Sequence, residues 1–509
     1  MYRGFLMNVV RMILLRLVLI LAAVQMVYSQ QQHPNSPVLK SYVPSDKHSL
    51  VTPNDLTYEL WQEFLLVKKA NEGDPVAQHE LGIRYISGKT FVADTQKAAY
   101  WIARAAAQGL PSARYNLGIL QHNGWAVPWN PFEAFRNFEF AASRGMPEAE
   151  YALGIFYLDN LVVPRDEMEA VCLVTAAADS EYLPARETLM KFQEHGIGKR
   201  KAKGTSEGRP PQTPGGRVMF LDFDRDTSTH VPDSTLVGEL VRDGSAKVRA
   251  LSDSTDTVVD TLPLVPLIRQ AAEAGSPEAL TLLGRWYEKG TYVHKDVIAA
   301  SMYYLRATRF DSPRAPLLLW NLTHEPRYFD LLKERVDRHD AAAETVWPAL
   351  IALQFDNQMT AQQAIGLIES AVRKENVAAL IELGLWYIQG NMVSRDQSHG
   401  LELWEQAKAR GSREAEIRLA VTDLMSSQDS SKAARLVNFL LDAMRDGSVL
   451  AEVGLGYCYE HGFGVEQHTG DAAKLYRKSA ERGSLSGYES LKRLYNRLRP
   501  PEKEFHIDE

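Results

Sequence analysis

Apolar residues recur in this chain at helical spacing inside a longer period of thirty-six residues. Ala77, Leu81 and Tyr85 lie four apart, which puts them on one face of a helix. The pair Leu81-Gly82 returns as Leu117-Gly118 and Leu153-Gly154, then later at the same step as Leu383-Gly384, Leu419-Ala420 and Leu455-Gly456. A second marker keeps the step, with Gly73, Gly109 and Gly145 early and Gly411, Gly447 and Gly483 late. A unit of this length holds two short helices and two turns, and it cannot bury its own apolar face. Stacked copies can. The pattern predicts an all-α solenoid.

Each position in the unit has a structural task. A mid-helix glycine costs about 1 kcal/mol against alanine. The return of Gly82 as Gly118, Gly154, Gly284, Gly384 and Gly456 therefore implies close approach of a partner helix. Asp94, Asn130, Asp166, Asp296 and Asp396 stand where a second helix would need an N-cap. Pro131 adds a first-turn proline. Ala98, Trp101, Ile102 and Ala105 then form the buried stripe, and Gly109 ends the helix in a left-handed conformation. Two places depart from the pattern. Ala420 replaces the packing glycine, a mild change, and Trp320 stands thirty-six residues after Gly284, where the register slips or the helices splay. Tyr328 to Lys374 is apolar at helical spacing without the dipeptide and reads as degenerate helical hairpins.

Taken together, Ala77, Leu81-Gly82, Tyr85, Gly88, Asp94, Ala98, Trp101, Ala105-Ala106 and Gly109 resemble the Sel-1-like repeat family, an α/α solenoid related to tetratricopeptide repeats. The resemblance renews over Ala279 to Arg306, Leu383 to Gly390 and Leu455 to Val465, and covers about residues 60–195 and 265–496. It implies a right-handed superhelix in two arms with a small irregular insert between them. It also implies protein or peptide partners on the concave face, lined by first helices, and it brings no catalytic residue or cofactor.

The ends and the linker set the expected boundaries. Arg3, Arg11 and Arg16 precede an apolar run, Leu17 to Val24, with Val27 and Ser29 suited to cleavage before Gln30. The expected order is a signal peptide over 1–29, a flexible lead-in over 30–53 and a first arm over 54–195. A linker and acidic insert follow over 196–261, then a second arm over 262–497 and a tail over 498–509. An uncleaved anchor over Met12 to Tyr28 is the alternative, and the one route to membrane contact. Export, with resemblance to exported bacterial members of the family, points to the periplasm, the outer envelope or the outside of the cell. Cys172 and Cys458 read as small buried hydrophobes in arms that do not meet, so no bridge is expected. Net charge is −7, with basic residues spread through the repeats, which argues against nucleic acid. The basic run from Lys199 to Lys203 lies in the linker and reads as a solvated spacer.

Chemistry has one candidate segment, VMFLDFDRDTSTHVPD. Asp222, Asp224, Asp226, Ser228, His230 and Asp233 match the spacing of a calcium loop, but Thr227 replaces its turn glycine and Asp233 its bidentate glutamate. Asp222 and Asp224 after an apolar run also resemble the nucleophile strand of haloacid-dehalogenase-like phosphatases, without the alternating strands and helices that fold needs downstream. An acidic surface turn is the favoured reading. His122, His195 and His461 end first helices, where an imidazolium suits the helix dipole. Trp125 and Trp129 fall in a loop, packed or offered to a partner. The expectation is an exported, non-enzymatic scaffold of the bacterial envelope. Its rivals are a eukaryotic secretory-pathway adaptor, to which the sequon Asn321-Leu322-Thr323 would matter, and a phosphate-ester hydrolase.

Overall fold

The structure, a computed structural model, describes residues 56–88, 91–198, 264–426 and 430–507. The leader, the lead-in, the basic run and the segment holding Asp222, Asp224, Asp226, Ser228, His230 and Asp233 lie outside the described residues.

Among the described residues the chain forms 22 α-helices and a short terminal 3-10 turn, Lys503–Phe505. The first group is α1 (Leu56–Glu72), α2 (Pro75–Ser87), α3 (Thr95–Ala107), α4 (Pro111–Asn123), α5 (Pro131–Ala142), α6 (Pro147–Asp159), α7 (Glu167–Asp179) and α8 (Leu183–His195). The second group begins with α9 (Leu264–Glu273), α10 (Pro277–Lys289), α11 (Val297–Arg309), α12 (Ala315–Thr323), α13 (Tyr328–Asp337), α14 (Ala341–Ala352) and α15 (Ala361–Arg373). It continues with α16 (Val377–Gln389), α17 (Gln397–Ala409), α18 (Arg413–Ser426), α19 (Ser430–Arg445), α20 (Val449–His461), α21 (Thr469–Glu481) and α22 (Leu485–Leu498).

Consecutive helices pack as pairs, most tightly α2–α3, α4–α5, α6–α7, α10–α11, α16–α17 and α20–α21. In these pairs the first helix ends on a left-handed residue, such as Gly88, Gly124, Gly290 or Gly462, or on Asn160 in its place. A side-chain cap then starts the second helix. Asp94 accepts from the Lys97 amide, Asn130 from Glu133 and Asp396 from His399. His468 departs from the rule, accepting from the Asp471 amide through Nδ1.

Two pairs are not built this way. Helices α12 and α13 barely touch, and α11 packs on α14 instead. Trp320, half-buried, rests its ring on His324 at 4.1 Å and near Phe355 at 6.2 Å, so the helices splay where a tryptophan stands in the glycine register. Helices α18 and α19 also touch little, while α18 reaches past α19 to pack on α20. Replacement by Ala420 therefore accompanies a larger change than the mild one its size implies. Cys458 is buried, and burial pushes its thiol up to about 12. Cys172 is exposed, against expectation, because it lies off the stripe of Ala170, Val174, Ala177 and Ala178 that α7 buries. The two groups also meet, where separate arms were expected. One core cluster joins Phe132, Phe135 and Phe156 of the first group to Tyr476, Leu494 and Tyr495 of the second.

Candidate functional site at the junction of the two groups

The repeat residues singled out by the sequence are placed as packing elements. Leu81, Leu153, Leu383 and Leu455 are buried, and Leu117 is half-buried. A Cβ on Gly82 would lie 2.7 Å from Ile102, and one on Gly118 2.8 Å from Phe138. At Gly154 it would lie 2.6 Å from Val174, at Gly384 2.6 Å from Trp404 and at Gly456 2.5 Å from Tyr476, and at Gly284 it would collide with Tyr304. Gly109 and Gly145 do a different job. Their φ angles of +81° and +74° are left-handed, and nothing crowds a Cβ at Gly145.

Within the second group, buried ion pairs join helices of different pairs. Arg306 at the end of α11 reaches Glu414 at the start of α18 at 2.7 Å, and Glu414 also takes Arg418 at 2.9 Å. Arg309 pairs with Glu382 of α16, which accepts from the Trp386 indole at 2.9 Å. Burial alone would raise the Glu414 carboxyl, but Arg306 and Arg418 outweigh it and hold the group below its ordinary value. The remaining gap is only about 20 Å³.

At the junction, glycine meets glycine. A Cβ on Gly470 would strike the Asn123 carbonyl oxygen and lie 3.1 Å from the Gly124 Cα. His468 Nε2 lies 3.1 Å from the Gly124 carbonyl oxygen. Because Nδ1 accepts from an amide, the proton sits on Nε2, which donates across the junction. Trp129 packs edge-on to Tyr495 at 5.1 Å, and Phe132 to Phe505 at 5.2 Å. Arg499 donates to the carbonyls of Leu161 at 2.6 Å and Val162 at 3.2 Å, and Arg136 pairs with Glu502 at 2.8 Å. Asp159, buried at the end of α6, accepts from the Leu161 amide at 2.9 Å. Burial pushes its carboxyl up to about 7, against the pull of that amide and of Arg477 from α21. Between the groups remains a cavity of about 280 Å³, walled by Trp129, His468, Gly470 and Arg497 among others.

Sequence reasoning named Trp129 but not its neighbours. The signal was present as a departure from the repeat. Two residues after the cap other repeats carry Gln96, Phe132, Met168, Ile298 or Ser398, and only here does glycine follow a histidine cap. Of the helix-end histidines, His461 turns Nδ1 toward the Tyr457 carbonyl at 3.1 Å, as a helix terminus favours. His122 is instead buried edge-on to Phe156 at 5.5 Å. The side chain of His195 lies outside the described residues.

The family model described as Sel1 repeat matches residues 75–110, 111–146, 147–181, 277–309, 377–412 and 449–484. A protein of Rattus norvegicus named DAP3-binding cell death enhancer 1 is 32% identical over 107 residues, and its Mus musculus namesake is 30% identical over 107 residues. In both cases the match covers 21% of this chain and 21% of the relative, so the chain spans little of those proteins. Among solved structures, a protective antigen of uropathogenic Escherichia coli displaying an SLR fold is 19% identical. That match covers 82% of this chain and 78% of that one, with a TM-score of 0.28. A Sel1 repeat protein from Oxalobacter formigenes is 32% identical, covering 26% of this chain and 98% of that one, with a TM-score of 0.24.

Proposed function

This chain belongs to the Sel1-repeat proteins, and from that premise we propose that it is an exported, non-enzymatic scaffold that holds protein or peptide partners in the bacterial cell envelope or outside the cell. The observation that carries the reading is the junction. It clamps two groups of repeats in one orientation through Gly124, Gly470 and Arg499, and a fixed spacing between surfaces is what an adaptor needs. The basic and apolar order of residues 1–29 supports export.

Three experiments test this. Capture from envelope extract with the full chain should enrich a defined set of proteins, and Gly470→Val, which forces the junction apart, should lose part of that set. N-terminal sequencing should find a mature start near Gln30, whereas intact leader in the membrane fraction would establish an anchored protein. Activity on a generic phosphate ester that disappears in Asp222→Asn would overturn the non-enzymatic reading. A secretory-pathway adaptor is the second reading, favoured by the exposure of Asn321. A mass shift on removal of N-linked glycan would decide for it.

A further inference from the structure

The residues after the last helix lie against the first group of repeats. Pro500 and Pro501 follow α22, where a helix cannot continue, and Lys503–Phe505 then makes one 3-10 turn. In such a turn side chains three apart lie one over the other, and Glu502 and Phe505 both reach α5. Phe505 is fully buried, edge-on to Phe132 at 5.2 Å and to Phe135 at 5.9 Å. The Arg136 guanidinium stands 5.2 Å over the same ring, which suits a cation on an aromatic face. Arg136 also binds Glu502 at 2.8 Å and lies 3.9 Å from Glu504.

The hold is narrow. Among the described residues no backbone hydrogen bond joins residues 502–507 to the first group. The turn is closed by its own bonds, from the Phe505 amide to the Glu502 carbonyl and from the His506 amide to the Lys503 carbonyl. Arg499, also of the tail, donates to the Phe505 carbonyl at 2.6 Å. The tail therefore carries its shape with it and meets α5 through one ring and two carboxylates. Both facing rings and the arginine belong to α5, and Arg136 is 366 residues from Glu502 along the chain. This is how a short peptide docks, with an aromatic anchor in a pocket and charge at its rim.

We propose that this face of α5 is a recognition site for a segment of a partner protein that carries a phenylalanine with carboxylates one and three residues before it. The chain's own tail occupies the site until such a segment displaces it. Tethering favours the tail, because a short linker gives it an effective concentration on the order of millimolar, so a partner must bind more tightly or at more than one place. The inference deepens the scaffold reading and rests on it, since it gives the chemistry of one partner.

The test measures binding of a fluorescein-labelled peptide of residues 500–507 to the full-length chain by fluorescence anisotropy. Phe505→Ala in the chain empties the pocket and should bind the peptide at least about tenfold more tightly than the wild type does. The peptide carrying Phe505→Ala should not bind. Arg136→Gln, added to the emptied chain, should weaken binding about tenfold, as loss of a charged hydrogen bond does. Should the emptied chain fail to fold, the wild type decides, because excess peptide should displace the tail and speed amide exchange at Phe505 and His506. No saturable binding and no change in exchange would make the tail a fixed part of the core and overturn the site. Binding that survives loss of the peptide's phenylalanine would overturn it as well. Wild-type dimers that trade tails, in place of peptide uptake, would assign the pocket to a second copy and overturn the partner. Each of these failures leaves capture from envelope extract intact, so loss of this site and loss of the scaffold reading are told apart.

Discussion

Glycine serves two different ends in this chain, shown by Gly118 inside α4 and Gly145 in the turn after α5. At Gly118 the Phe138 ring leaves no room for a side chain. Gly118→Leu should therefore lower stability by about 1–3 kcal/mol through overpacking, read as an earlier thermal transition. An unchanged melting curve would mean the ring can move aside at little cost. At Gly145 space is free and only the φ of +74° constrains the residue. Gly145→Ala should cost about 1–2 kcal/mol from backbone strain alone. His79 shows a residue effect of another kind. It is buried against Asn116 at 2.7 Å, and burial lowers its ring to about 4 from 6.5. The unfolded chain thus takes up a proton first as pH falls, and the stability present above 6.5 is lost progressively toward 4. Roughly 3 kcal/mol is at stake for a shift of this size. Urea midpoints of the wild type should fall across that window, and those of His79→Gln should fall less steeply.

At the scale of the element, helix ends and pair spacing decide the outcome. The Asn130 cap holds the Glu133 amide at 3.1 Å, and Pro131 follows it without losing a bond. Asn130→Ala should cost about 1 kcal/mol, and amide exchange should quicken first at the start of α5. The splayed pairs show the converse. Where Trp320 or Ala420 fills the glycine register, the two helices of the pair no longer seat on each other. Met190 of α8 is a further case, standing thirty-six residues after Gly154. It is 58% exposed, since no second helix covers that face among the described residues.

At the scale of the molecule, the two groups of repeats behave as one body to the extent that the junction holds. The wild type should melt in one transition, and Gly470→Val should drive the Asn123 carbonyl away, so that the melt divides and small-angle scattering reports a larger radius. A compact, singly melting variant would show that Arg499 and the aromatic cluster suffice without the glycine contact. Asp159 adds a dependence on pH. Its carboxyl is raised to about 7 from 3.8, so the folded state holds its proton more tightly than the unfolded chain does. The stability it lends is complete below 3.8 and is lost as pH rises through 7. Asp159→Asn should flatten that loss. Fragments 54–195 and 262–497 should remain helical, since stacked neighbours supply each core, but each would expose its half of the cluster around Tyr495.

Much of the helical framework was legible in the chain alone, because its causes are local and repeated. The period of thirty-six residues, the caps at Asp94, Asn130, Asp166, Asp296 and Asp396, and the glycines under Ile102, Phe138 and Val174 each act within one unit. What no period could reveal is how distant units meet. Arg306 finds Glu414 across 108 residues, and His468 finds Gly124 across 344. Such contacts depend on the summed curvature of the whole stack, to which every splayed pair and replaced glycine contributes. The sequence therefore determined the helices and the pairing of the regular repeats, though not the partners of α11 and α18. Only the tertiary structure decided that Arg306 and Glu414 meet inside the second group and that the two arms share one core, because both follow from where distant units come together.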